Sequence, residues 1–251
     1  MFFDPEPCTD PEKLAVRPIK CKNKKSNTDP RLPQHPFFAC FVAARASGKT
    51  TCLVDLILHK LKHQFDIIFV WSRSYEHDPT WRAVKLPPGC VFTRWNPDHA
   101  NSIFEDLVKL SRLKLPGGPA KSLLIMDDMI AEKMMSSSPK TLQLLERVAC
   151  IGRHFGISAC LISQVYKSLS PIVRVNTTNW LLWRQRNQGE LHKIAEEQCE
   201  HLSTDEFKTL MGHCTSEPYC FMHINGQQQD PRKRYWKNWG ECLHLKENKI
   251  Q

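Results

Sequence analysis

The chain has 251 residues, 41% of them hydrophobic and 24% charged, enough for one globular domain with a substantial core. Its formal net charge of +9, from 35 basic and 26 acidic residues, suits a polyanionic partner without requiring one. No apolar run approaches the ~18 residues of a membrane span and no apolar stretch near the start reads as a secretory signal, so neither is expected. The 11 cysteines are scattered, with no C-x-x-C spacing, and read as buried reduced thiols in a reducing compartment.

Residues 1–36 hold seven of the 17 prolines and a basic cluster, Lys20, Lys22, Lys24 and Lys25. They read as an irregular tail, with the lysines a solvated face, a nuclear-import signal or a nucleic-acid contact. The run Phe37 to Val42 then predicts a buried strand, and Leu53, Leu56, Ile57 and Leu61 fall at helical spacing. Between them lies Ala43-Ala44-Arg45-Ala46-Ser47-Gly48-Lys49-Thr50-Thr51. Strand, small-residue loop and helix are the context of a phosphate-binding P-loop. Backbone N–H groups from Ala46 to Thr51 would wrap an anion, Lys49 would reach the β- and γ-phosphates of ATP, and Thr50 would hold Mg2+. The first position of that loop is usually glycine and here is Ala43. The exchange is nearly free if the backbone there has negative φ, and harms nucleotide binding if it does not.

Further along, Phe65 to Trp71 and Cys90 to Thr93 read as strands, with Ser72-Arg73-Ser74-Tyr75 after the first. Asn96-Pro97-Asp98 opens a helix whose inner face carries Ile103, Leu107 and Leu110. Ser122 to Asp128 is an apolar strand ending in two carboxylates, the Walker B pattern, in which Asp127 would bind Mg2+ through water. The plainer alternative is two aspartates capping a following helix. A helix over about 141–152 leads through Gly152-Arg153-His154 to a strand, Ile157 to Ser163, with Gln164 at its carboxyl end. Ligands of open α/β sheets bind at that end, so Gln164 either senses the γ-phosphate or its water, or simply ends the strand.

From Arg147 to Gly189 there is no acidic residue and six basic ones: Arg147, Arg153, Lys167, Arg174, Arg184 and Arg186. Such an excess suits DNA phosphates or a neighbouring molecule's γ-phosphate. Asn179 to Arg184 is another strand, Ser203-Thr204-Asp205-Glu206 a capping box opening a helix, Tyr219 to Ile224 a late strand, and Arg234-Tyr235-Trp236 its returning edge partner. His213, Cys214, Cys220 and His223 lack a standard zinc spacing and read as core.

Taken in this order, with Gly152-Arg153-His154 followed by Gln164 and Arg174-x-Asn176, residues 36–240 resemble the poxvirus-type genome-packaging ATPases of the FtsK–HerA superfamily. The resemblance implies a P-loop NTPase with a RecA/FtsK-like, mostly parallel central sheet flanked by helices, here with a C-terminal edge hairpin. It implies a tail over 1–36, an ATPase domain over 37–240 and a second tail over 241–251. It also implies ATP with Mg2+, and a homo-oligomeric ring, a hexamer, that drives double-stranded DNA into a capsid through capsid or portal-vertex proteins. The work would be done in the host nucleus or a cytoplasmic virus factory, by a protein that is not secreted and associates with the virion. Carried over residue by residue, Lys49 and Thr50 match Walker A, and Asp127 and Asp128 match Walker B. Asp128 stands where a glutamate usually orients the attacking water, with Glu132 a possible substitute. Gln164 matches the sensor; Arg153 is the first candidate for an arginine finger and Arg174 the second. Ala43 and Asp128 depart from the family pattern, which leaves an alternative: a degenerate P-loop protein that binds nucleotide or DNA without hydrolysis. Another P-loop NTPase, such as a helicase loader, is a third reading; no N-K-x-D guanine motif follows Walker B.

Overall fold

The central strands are apolar on both faces, which requires a sheet covered on both sides. In β1 (Phe38–Val42) every residue is buried. Phe38, Cys40 and Val42 join one apolar cluster while Ala39 and Phe41 join the other, as the two-residue period of a strand dictates. The computed structural model describes residues 29, 31–61, 63–113, 118–127 and 139–243. Among them is a nine-stranded sheet in the order β3-β2-β4-β5-β1-β6-β7-β8-β9. The further strands are β2 (Ile67–Ser72), β3 (Val91–Phe92), β4 (Ser122–Asp127), β5 (Ile157–Ser163), β6 (Asn179–Trp183), β7 (Phe221–Asn225), β8 (Tyr235–Lys237) and β9 (Glu241–Cys242). The first six strands pair in parallel and the last three are antiparallel. The predicted edge hairpin is present, Ile224 opposite Tyr235, and β9 extends it by one strand that the sequence reading does not anticipate.

One face is covered by α1 (Lys49–Asp55), which runs on as a wider π-helical turn over Leu56–Lys60. Leu53, Leu56, Ile57 and Leu61 are all buried there, the stripe the sequence predicts. The other face carries α2 (Pro97–Ser111) and α3 (Pro139–Ile151), which bury Phe104, Leu107, Leu144 and Val148. With them lie a short α4 (Pro171–Asn176), then α5 (Gln188–Gln198) and α6 (Thr204–Cys214). Asn96 caps α2 and the Ser203–Glu206 capping box opens α6, as expected.

No described helix is long and apolar enough to cross a membrane. The described cysteines are free thiols, with Cys40, Cys160 and Cys214 buried and the others half-buried. His223 and Cys214 are core, as read from the sequence. His213 is not: it is exposed at the end of α6, and Cys220 is half-buried. His223 Nε2 bonds Asn179 Oδ1 at 2.9 Å across the β6–β7 pair.

Candidate functional site

β1 delivers the chain to the carboxyl edge of the sheet, and the loop after it is held by the backbone. Ala43 N–H donates to Ser163 O of β5 at 3.2 Å, and the Ala43 side chain is fully buried in the apolar cluster beneath α1. Ala43 is not among the residues with positive φ. The left-handed positions of the loop are Ala46 (φ 58) and Gly48 (φ 88). The departure from glycine therefore has no conformational cost at Ala43, and the alanine that does sit in a glycine-like conformation is Ala46. Lys49 is buried, and its ammonium donates to the carbonyls of Ala43 at 2.7 Å and Ala44 at 2.9 Å, back across the loop it opens onto. Ser47 Oγ is buried without a hydrogen-bond partner among the described residues. Thr50 is half-buried and Thr51 exposed, and the Thr50 hydroxyl takes no side-chain hydrogen bond among the described residues.

Two strands away, β4 ends in Asp127, paired in register with Ser72 at the end of β2. Asp127 is almost completely buried. Its Oδ2 accepts from Ser72 Oγ at 3.0 Å and from the indole N–H of Trp81 at 3.1 Å. Trp81 comes from a 3-10 turn, Pro79–Ala83, capped by Asp78, and stacks obliquely on Tyr75 with ring centroids 5.5 Å apart. The capping alternative concerns residues directly after Asp127, which lie outside the described residues. Trp81 is a member of this site that sequence reasoning does not supply, since an apolar residue far from the motif carries no local signal; Ser72 is picked out by sequence only within Ser72–Tyr75, without a role. Asp128 and Glu132 lie outside the described residues.

β5 lies between β1 and β4, so half-buried Gln164 leaves the sheet between the P-loop and Asp127, beyond the register pair Val42–Ser163. The donor set, the Thr50 hydroxyl in the first turn of α1 and the Asp127 carboxylate at the end of β4, two strands away on the same edge, is all oxygen and fits a hard cation such as Mg2+.

Arg153 is at the opposite edge. It sits in a 3-10 turn, Gly152–Phe155, before β5, is exposed, and forms no hydrogen bond or ion pair with a described residue. The seven residues of β5 separate it from the P-loop edge by roughly 20 Å. Arg174 borders the same cleft of about 560 Å³, but it is taken: it pairs with Glu197 of α5 at 2.8 Å, bonds Leu169 O, and lies over the Tyr166 ring. Arg147 is likewise paired, with Glu105 at 2.6 Å. Two of the six cations in the acid-free stretch thus have carboxylate partners from outside it.

A small-residue loop between the first strand and its helix, in a mostly parallel sheet where β5 lies between β1 and the Asp127-bearing β4, is the arrangement of a P-loop ATPase fold. No protein-family model and no curated protein matches the chain. Solved structures do. The genome-packaging NTPase B204 of Sulfolobus turreted icosahedral virus 2, in complex with AMP, superimposes with TM-score 0.58 at 17% identity, over 81% of this chain and 96% of that one. B204 of Sulfolobus turreted icosahedral virus, a DNA-packaging ATPase, gives 0.56 at 18% identity over 84% and 100%. The conjugation coupling protein TcpA of pCW3, with ATPγS, gives 0.52 at 16% identity over 76% and 58%. The fold that the resemblance to FtsK–HerA packaging ATPases implies is the fold found.

Proposed function

We propose that the chain is an ATPase, with residues 37–240 as its catalytic domain, that drives double-stranded DNA into a viral capsid. The observation that carries this reading is the carboxyl edge of the sheet. There the buried Lys49 ammonium, the Asp127 carboxylate and Gln164 issue from β1, β4 and β5 side by side. Lys49 leaves the Ala43 and Ala44 carbonyls for the β- and γ-phosphates of ATP. Thr50 and Asp127 hold Mg2+, which when bound neutralises charge on the phosphates. Asp128 orients the attacking water and Gln164 reports the γ-phosphate. Arg153, too far from its own P-loop, serves the next subunit of a ring, which we take to be a hexamer docked on capsid or portal-vertex proteins in the nucleus or a virus factory.

The likeness to B204 and TcpA supports the fold part of this reading, and the basic balance supports a DNA partner. The degenerate-site alternative loses its main support, because Ala43 is in ordinary backbone and packs into the core. The test is ATP hydrolysis with and without double-stranded DNA, beside Lys49→Ala and Asp127→Asn. Turnover that rises with DNA and disappears in both variants is the expected result. Magnesium-dependent binding without turnover, in the presence of DNA and of assembled rings, would favour the alternative.

A further inference from the structure

A triphosphate has two ends, and the proposed site accounts for one of them. Asp127 and Gln164 lie on the β4–β5 side of the P-loop strand, so a γ-phosphate directed at them sends the nucleoside the other way, over β6 and β7. A cleft of about 320 Å³ opens on that side. It is bordered by Ala44–Ser47 of the P-loop, by Arg184 and Arg186 just beyond β6, and by the turn that carries Tyr219 before β7. That volume is within the range of small-molecule sites.

Tyr219 is 73% exposed, unusual for a large aromatic residue that has a core to join. Its backbone is left-handed, φ 65, which costs a tyrosine free energy and is held by the surrounding structure. The buried Trp183 indole N–H donates to Tyr219 O at 3.1 Å, and Trp183 in turn packs on Phe41 and Phe221. The ring itself stands over the P-loop: a Cβ added at Gly48 would meet Tyr219 Cδ1 at 3.2 Å. Arg184 and Arg186 are exposed and have no carboxylate partner among the described residues, and Glu217, the one acid among the described residues bordering the cleft, is bonded to Lys237 at 2.7 Å. An aromatic face and three guanidinium groups, those of Arg45, Arg184 and Arg186, none paired with a described carboxylate, match a planar base joined to an anionic sugar phosphate.

We propose that this cleft is the nucleoside half of the nucleotide site, with the base stacked on Tyr219 and with Arg184 and Arg186 facing the sugar and α-phosphate. The proposal rests on the P-loop reading and adds the part that recognises the base. A stacked purine covers more of the ring than a pyrimidine, so ATP and GTP bind more tightly than CTP and UTP.

The experiment compares binding of ATP with that of inorganic tripolyphosphate, which has no base, by calorimetry on the full chain with Mg2+. Tyr219→Asn removes the ring with a residue that tolerates left-handed backbone; Tyr219→Phe keeps the ring; Arg184→Gln with Arg186→Gln removes the two cations beyond β6 and leaves Arg45. Expected results are a loss of roughly tenfold for ATP in Tyr219→Asn, the weight of one aromatic stack, with tripolyphosphate unchanged and Tyr219→Phe like the parent. The arginine variant weakens AMP binding with little effect on tripolyphosphate. Equal loss for ATP and tripolyphosphate in Tyr219→Asn, or no loss for either, overturns the proposal. So does a loss confined to a short single-stranded oligonucleotide, which would assign the same stacking chemistry to DNA. Failure of the parent chain to bind either compound, or insensitivity of both to Lys49→Ala, would instead strike the P-loop reading, so the two failures are separable.

Discussion

The indole of Trp81 and the hydroxyl of Ser72 donate to the same oxygen of Asp127, at 3.1 Å and 3.0 Å. The two donors reach it from different segments, the 3-10 turn Pro79–Ala83 and the end of β2. Two donors on one oxygen fix the carboxylate plane before any cation arrives. A charge this buried needs such partners, and their direction decides which way the other oxygen points.

Trp81→Phe keeps most of the ring volume and removes the donor. A hydrogen bond to a charged group is worth about 1.5–3 kcal/mol, so ATP turnover is expected to fall by about tenfold or more. Half-saturation should require more Mg2+, with little change in ATP affinity at saturating metal. A magnesium titration of turnover checks it, and an unshifted midpoint with unchanged turnover would show that Trp81 merely fills space. Ser72→Ala should act in the same direction.

Two of the three P-loop alanines, Ala43 and Ala46, have opposite consequences. Ala46 has φ 58, and Ala46→Gly relieves left-handed strain of about 1 kcal/mol. Ala43 is fully buried outside the left-handed region, so Ala43→Gly loses a packed methyl and gains chain entropy in the unfolded state, a cost of about 1–2 kcal/mol. Urea unfolding should therefore shift its midpoint up for the first variant and down for the second. Restoring the usual glycine at 43 should bring no gain in ATP affinity.

The strands β1, β4 and β5 and the P-loop were legible because each is a short apolar run that ends in its own punctuation: Ala43-Ala44, Asp127, Gln164. The capping box at Ser203 was legible for the same local reason. What was not legible depended on partners distant in sequence. Helix α5 buries only Ile194 and Ala195, too little to make a helical stripe stand out. Missing it also hid Glu197, and with it the reason Arg174 is not free to act on a neighbour. The Trp81–Asp127 bond spans 46 positions and follows from strand order, which no local pattern states.

The two candidate finger arginines should part cleanly under mutation. Arg174→Gln breaks a pair whose side chains are 11% and 24% exposed, and should cost about 2 kcal/mol, seen as a fall in Tm of about 4–8 °C. Arg153→Ala removes an exposed side chain without partners among the described residues and should change stability by less than about 0.5 kcal/mol. Yet it should reduce turnover of the assembled ring by about a thousandfold, the weight of a trans arginine. Mixing Arg153→Ala with Lys49→Ala should restore part of the activity, because some interfaces then combine an intact lysine with an intact arginine. No restoration, in rings shown to contain both chains, would argue that Arg153 does not act across an interface.

His223 makes stability depend on pH in a stated direction. Its ring is completely buried, edge-on to Trp239, with Nε2 bonded to Asn179 and Nδ1 without a partner, and burial lowers its pKa from 6.5 to about 3. His35 is shifted the same way, to about 4, by burial and by the charge of Lys121. Between these folded values and 6.5 the unfolded chain binds protons that the folded chain refuses, so stability is lost as pH falls through that window and is level above it. Each histidine contributes a slope of about 0.7 kcal/mol per pH unit at pH 6.5, rising towards about 1.4 as pH falls below it. His223→Gln can keep a donor to Asn179 and does not titrate. Its unfolding free energy should fall about half as steeply between pH 6.5 and 5.5, above the range where carboxylates dominate. Parallel curves for parent and variant over that interval would mean that His223 accepts a proton in the folded chain, and that the β6–β7 pair is open enough to hydrate it.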